Sequence, residues 1–267
     1  MPKAFLEDRG VVRVSGDTAR EFLQGLVTCD VLCVTPQRFA FGALLTPQGK
    51  IIVDFIINEA DGAFWLDCPL TLAADLTKRL RFYRLRSKLD IDDLSTTHGV
   101  SVVWDEASPA IADPRDARLG ERIVGERVVL IKHYGLDNAA LYEAHRIEIG
   151  VPKGGVDFAY GDTFPHEANM DLLTGVDFTK GCYVGQEVVS RVEHRGLARK
   201  RIAHVEFAGV APAPGASIRA GEHEIGVMGS SAPGIGLAML RLDRVEEAKA
   251  RDEEIVCDSV RLAVVLA

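Results

Sequence analysis

The amino-acid sequence predicts an α+β protein that ends in a small antiparallel β-barrel. Two stretches mix alternating, β-branched segments with helical stripes, and beyond Arg201 the chain breaks into short strands between turn residues. At 267 residues with 47% hydrophobic content, the chain is long enough for two domains or three small ones, each with its own core.

The elements follow in order. Residues 11–14 alternate and read as a strand. Thr18 and Glu21 make a capping-box pattern ahead of Phe22, Leu23 and Leu26 on one helical face. Residues 39–45 and 51–57 form a hairpin through Thr46-Pro47-Gln48-Gly49, with proline and glycine at the second and fourth turn positions. A third strand at 64–66 leads into a helix striped by Leu72, Leu76 and Leu80, and Leu85, Leu89 and Ile91 share one face of a further strand. Next come a strand at 100–104, a loop around Asp113-Pro114-Arg115, and a helix at 138–149 with Ala140, Leu141, Ala144 and Ile147 inward, closed by Gly150 and Pro152. Residues 151–181 are rich in glycine, proline and aspartate, and a loop that long in a compact protein is usually functional. The barrel strands fall at 204–207, 217–219, 225–228, 235–240 and 259–266, with one acidic, helix-prone insert at 243–254.

Composition excludes several classes. No apolar run approaches the ~20 residues that span a bilayer, and Glu7 and Asp8 stand where a leader would be basic and then apolar, so the reading is a cytoplasmic protein with no membrane partner. Five cysteines without a Cys-x-x-Cys pair argue against a disulfide framework or a four-ligand zinc site, and no metal site is expected. Phosphate-binding loop, nucleophile elbow and His-Glu-x-x-His signatures are absent. A net charge of −8 argues against general nucleic-acid packaging, yet six of the eleven residues from Lys78 to Lys88 are basic. That stretch is either a solvated helix side or a landing strip for a polyanion such as a polyglutamate tail, a phosphate-bearing ligand or RNA.

Three residues carry candidate chemistry. Cys182 lies between glycines in Lys180-Gly181-Cys182-Tyr183-Val184-Gly185-Gln186-Glu187, just before a helix striped by Val188, Val189 and Val192. The positive helix end and Arg191, Arg195, Arg199, Lys200 and Arg201 downstream favour a thiolate, while a buried structural cysteine is the bland alternative. Asp54 interrupts the apolar run 51–57, so it is hydrogen-bonded, paired or protonated if buried, or else it points outward to water with residues 52 and 56. Glu148 stands at a helix end beside Arg146.

The Cys182 octapeptide, preceded by Phe164-Pro165-His166-Glu167-Ala168-Asn169-Met170-Asp171, resembles the YgfZ-type folate-binding family of bacterial and mitochondrial iron–sulfur cluster assembly factors. The wider pattern is similar to the T-protein of the glycine cleavage system, the tetrahydrofolate-dependent aminomethyltransferase, through Leu26-Val27-Thr28-Cys29-Asp30, Gln48-Gly49-Lys50-Ile51-Ile52-Val53-Asp54, Arg146-Ile147-Glu148 and Thr163-x-Pro165-x-Glu167. The resemblance implies a ring of three domains: residues 1–36 with 97–200 as a folate-binding α+β domain, 37–96 as an inserted ferredoxin-like α+β domain, and 201–267 as the barrel. It implies tetrahydrofolate or a one-carbon derivative as cofactor, with Asp54 facing the folate nitrogens, Glu148 clasping the pterin, and Asp67, Phe41 and Lys180 in the same pocket. Asp67 stands where the T-protein has an asparagine, and Cys182 where it has an aspartate. The implied function is a monomeric, folate-binding accessory protein for assembly or repair of iron–sulfur clusters, working with assembly proteins or client enzymes through the Cys182 thiol. The alternatives are a folate-dependent aminomethyltransferase and a tRNA-modification factor that contacts tRNA through the basic patches.

Overall fold

The computed structural model describes residues 1–105, 111–195 and 199–265. β1 (Lys3–Leu6) and β2 (Arg9–Ser15) are separated only by Glu7 and Asp8, yet they enter different sheets. β2 joins the larger sheet because Val12 and Val14 alternate into its core, where they meet Leu66 and Phe64 across the strand pairing. The expected cut at residue 36 therefore does not follow the strand pairing, since β2 belongs with strands from the stretch 37–96.

That larger sheet is built after α1 (Ala19–Gln24) from β3 (Ala40–Leu45), β4 (Ile51–Ala60) and β5 (Ala63–Pro69), and α2 (Leu70–Arg84) then leads to β6 (Asp90–Asp93). Its order is β3-β4-β5-β2-β6. The Gly49 N–H donates to the Thr46 carbonyl at 2.8 Å, closing the expected hairpin turn. Along β4 the side chains alternate: Val53, Phe55 and Ile57 pack with Leu76 and Leu80 of α2, while Ile56 joins a second core on the other face. Burial on both faces explains why the strand reads as a nearly continuous apolar run. Two local expectations fail. Thr18 is the N-cap of α1 but its side chain makes no capping bond, and Leu85 lies outside the strand with a φ of 49° and 83% exposure.

β7 (His98–Val103) lies between β1 and β8 (Glu121–Glu126) in a three-stranded antiparallel sheet, with α3 (Arg127–Tyr134) and α4 (Ala139–Ile149) against it. α4 buries Tyr142, Arg146 and Ile147, whereas the expected inward residues Ala140 and Leu141 are exposed. A buried arginine displaces the apolar stripe, because its charge is met by Glu143 at 2.7 Å and by Asp157 at 3.0 Å.

The long connection 151–181 is a packing layer. Phe158, Ala168, Met170 and Val176 share one core with Phe41, Ala43 and Ile56 of the larger sheet and with Ile202 and Leu237 of the barrel. α5 (Gln186–Arg195) follows it, four residues after Cys182. The barrel closes through β9 (Lys200–Phe207), β10 (Ser217–Ala220), β11 (His223–Ala232), β12 (Ile235–Arg241), β13 (Ile255–Cys257) and β14 (Val260–Val265), with α6 (Leu242–Ala250) in the acidic insert. Its order is β10-β11-β12-β9-β14-β13, antiparallel throughout.

Candidate functional site

A cavity of about 310 Å³ opens where the chain crosses between the two sheets. The crossing itself, Leu6 to Arg9, forms one wall; α4 supplies Tyr142, Glu143 and Arg146, the loops add Arg115, Lys153 and Tyr160, and Asp54 of β4 and Arg122 of β8 complete it. The site is dense in charge. Every cation on the wall has a carboxylate: Arg9 and Arg122 grip opposite oxygens of Asp67 at 2.6 and 2.5 Å, Arg115 forks onto Asp113 at 2.9 and 2.8 Å, and Lys153 bridges Asp8 at 2.6 Å and Glu143 at 3.0 Å.

The charges hold one another. Burial alone would raise the Asp113 carboxyl, but the charge and hydrogen bonds of Arg115, with the charge of Arg122, bring it below its ordinary value. Burial likewise opposes the Arg9 and Arg122 guanidinium charges, and Asp67 overrides it and raises both. Glu143 is held low by Arg146 and Lys153 against the same burial cost.

Asp54 differs from these acids. It is 6% exposed, accepts a short hydrogen bond on Oδ1 from the Tyr160 hydroxyl, and has no ion-pair partner among the described residues. Burial, then the neighbouring Asp54 charge, pushes the Tyr160 hydroxyl well above its usual range, so the phenol is a committed donor. Gly154 makes the approach possible, because a Cβ at that position would fall on the Tyr160 hydroxyl. The Tyr142 hydroxyl, buried at the same wall, has no hydrogen-bond partner among the described residues.

The other expected ligand residues lie elsewhere. Asp67 is fully buried behind the wall and holds Arg9 and Arg122 in place. Phe41 is core, with the Arg115 guanidinium 5.9 Å from its ring centroid. Glu148 is exposed and absent from the cavity wall. It stands two residues beyond Arg146, about 200° round the helix, so both cannot face one cavity. Lys180 reaches away from the cavity to the Val27 and Cys29 carbonyls, at 2.6 Å each. Burial lowers its pKa, so the ammonium is a tie bought at an electrostatic cost. The residues that local patterning missed are Arg9, Arg115, Arg122, Glu143 and Tyr160; of these only Arg122 is a buried arginine inside a strand, and the others carry no local sequence signal.

Cys182 is exposed and outside the cavity wall. The segment carrying it is fixed on both sides. Lys180 ties it to the 27–29 loop, and Gly185, at a φ of 84°, fits against the Thr46 carbonyl where a Cβ would collide. Cys29 and Cys68 are buried, and burial pushes the Cys29 thiol up to about 12. His166, Asp171 and Glu193 gather ligand atoms within 4.8 Å of one another. That cluster already has its cation, since Arg201 donates to both Asp171 oxygens at 2.9 and 2.6 Å while His166 Nε2 meets Glu193 at 2.9 Å.

The family model of the CAF17 C-terminal β-barrel domain matches residues 199–267. The chain is 37% identical over 234 residues to the mitochondrial iron–sulfur cluster assembly factor IBA57 homolog of Mycosarcoma maydis, an alignment covering 79% of this chain and 58% of that protein. Against mitochondrial IBA57 of Mus musculus and of Homo sapiens it is 30% and 31% identical, each time over 90% of this chain and 78% of the relative. The chain thus spans little more than half the length of the fungal relative. The crystal structure of glycine cleavage system aminomethyltransferase T from Bartonella henselae shares the fold at a TM-score of 0.76, over 100% of this chain and 85% of that one, with 15% identity. The expected cytoplasmic location does not stand, because these relatives are mitochondrial proteins. Expected fold and expected family agree with the comparisons: on a T-protein fold, the chain belongs to the family of IBA57 iron–sulfur cluster assembly factors, the YgfZ type.

Proposed function

We propose that the protein is an accessory factor in the assembly or repair of iron–sulfur clusters, in which Cys182 meets an assembly protein or client enzyme and the Asp54 cavity binds tetrahydrofolate or a one-carbon derivative. The names of the relatives support the first half. The observation that carries the reading is the division of labour between an exposed thiol on a fixed segment and a buried carboxylate in a separate cavity. A thiol on the outer face suits a partner's metal or sulfur rather than a ligand held inside. Asp54 is the buried wall carboxylate without an ion-pair partner among the described residues, so it keeps acceptor capacity for the N–H groups of a reduced pterin. The cavity lies at the small end of the roughly 300–1,000 Å³ typical of ligand pockets.

Two measurements test the two halves separately. Tetrahydrofolate titrated into the wild type and Asp54→Ala gives clearly weaker binding in the variant; equal affinity removes Asp54 from the ligand site. Cys182→Ser leaves that affinity unchanged and lowers the activity of [4Fe–4S] enzymes in cells; normal activity removes the thiol from the function. A second reading, a folate-dependent aminomethyltransferase, is favoured by Asp54 standing inside the cavity of a T-protein fold. Glycine cleavage activity with a lipoylated carrier protein would promote it above the first.

A further inference from the structure

The basic stretch 78–88 is divided by the fold into tied and free charges. Arg81 donates through Nε and a terminal nitrogen to the Ile91 carbonyl at 2.8 and 2.6 Å, and Arg84 donates to the Leu89 carbonyl at 2.7 Å, so they fasten the end of α2 to β6 and to the residue just before it. Arg79 pairs with Asp75 one turn back. Lys78, Arg86 and Lys88 are exposed and make no side-chain hydrogen bond or ion pair among the described residues.

Among those free cations stand two large apolar side chains in water, Phe82 at 77% and Leu85 at 83% exposure. Lys78 and Phe82 are one turn apart and two residues out of phase with the buried Leu76 and Leu80, so they point about 200° away from the core. Leu85 ends the helix at φ 49° and ψ −110°, a backbone that glycine adopts freely and a bulky residue only at a cost. A leucine stands there nonetheless, with its side chain in solvent. α2 covers the face of the larger sheet opposite Asp54, which puts this tip on the far side of the sheet from the cavity.

We propose that this tip docks the protein on an anionic phospholipid surface, with Phe82 and Leu85 entering the interface and Lys78, Arg86 and Lys88 meeting headgroup phosphates. The shape decides for a bilayer. Two apolar side chains at a protruding helix end need no preformed pocket in lipid, whereas single-stranded nucleic acid asks for a charged groove that tracks its backbone. The net charge of −8 is no obstacle, because charges farther than about 8 Å from the contact are largely screened at physiological ionic strength. Each free cation near the surface strengthens binding by about five-fold. The expectation of no membrane partner came from the lack of a spanning segment. None of the described helices is long and apolar enough to cross a membrane, and surface docking requires none.

Flotation of the purified full chain with vesicles tests the proposal independently of the folate and iron–sulfur readings. The chain floats with vesicles of phosphatidylcholine mixed with phosphatidylglycerol, does not float with phosphatidylcholine alone, and is released by molar salt. The triple variant Lys78→Glu, Arg86→Glu, Lys88→Glu loses at least roughly 100-fold in partitioning, and circular dichroism checks that it folds. Phe82→Trp reports insertion directly, through a blue shift of the new indole on mixed vesicles only. The proposal falls if the wild type ignores mixed vesicles at low salt, if the charge-reversed chain floats equally, or if the new indole does not shift. It falls equally if the tip prefers an acidic peptide or a single-stranded oligonucleotide to the vesicles.

Discussion

Asp54 and Cys182 are held by opposite means. Asp54 sits on the central run of a strand buried on both faces, beside a wall in which Arg9, Arg115, Arg122, Arg146 and Lys153 are each matched by a carboxylate, from two residues away for Arg115 to 58 for Arg9. Cys182 sits in solvent on a segment fixed by one ammonium and one glycine. The first arrangement costs desolvation and is rigid because any missing partner leaves a buried charge. The second leaves the thiol free to be approached. A fold that keeps one group enclosed and the other presented can change either without unfolding the other, and that independence can be broken experimentally.

The largest effect belongs to the wall. Asp67→Asn leaves Arg9 and the nearly inaccessible Arg122 without their shared carboxylate, a loss of about 3–5 kcal/mol in chemical denaturation. A cost below 1 kcal/mol would mean that the arginines find other partners and that the wall is looser than its geometry. Lys180→Met comes next. It strips the Val27 and Cys29 carbonyls of their donor, at about 1–3 kcal/mol. Because the same tie positions the Cys182 segment, the rate of Cys182 alkylation should change as well, while tetrahydrofolate affinity should not.

Acid sharpens the comparison further. Asp113 and Glu143 have folded-state pKa values below their ordinary ones, so their stabilisation is fully present above the unfolded carboxylate range near pH 4 and is lost as pH falls through the lowered values. Urea midpoints followed from neutral pH down to about pH 2 should therefore fall steeply below about pH 4, and Asp113→Asn should flatten that limb. An unchanged limb in the variant would assign acid sensitivity to other carboxylates. Tyr160→Phe follows, at about 1.5 kcal/mol, the lower end for a hydrogen bond to a charged group, since the Asp54 carboxylate loses its phenol donor. Gly154→Ala should weaken ligand binding to a similar degree by displacing the same phenol.

How much of this could be read from the sequence depended on range. The 46–49 turn, the α2 stripe and five of the six barrel strands are local patterns that form as expected, while the three-residue β13 (Ile255–Cys257) was not foreseen. Leu85 failed because alternation cannot see a positive φ that turns the side chain out. Asp54 was ambiguous because strand alternation says which residues share a face and not what covers it. Arg9 and Arg122 escaped notice because their partner Asp67 lies 58 and 55 residues away. Glu148 is a pocket residue only through the family resemblance, and helical geometry puts it on the other side of α4 from Arg146. The Cys182 segment was legible through its glycines, and its fastening by Lys180 was not, since the acceptors are backbone carbonyls more than 150 residues upstream.

The smallest expected effect is the sharpest test of the comparison. Cys182→Ser replaces an exposed thiol that makes no described hydrogen bond, so the folding free energy should stay within about 0.5 kcal/mol of wild type. Tetrahydrofolate affinity should be unchanged too, because the cavity wall does not include position 182. A destabilisation of more than about 1 kcal/mol, or a parallel loss of ligand binding, would show that the segment is coupled to the interior after all. If both stay level while [4Fe–4S] enzyme activity in cells declines, the thiol acts at the surface, on something brought to it.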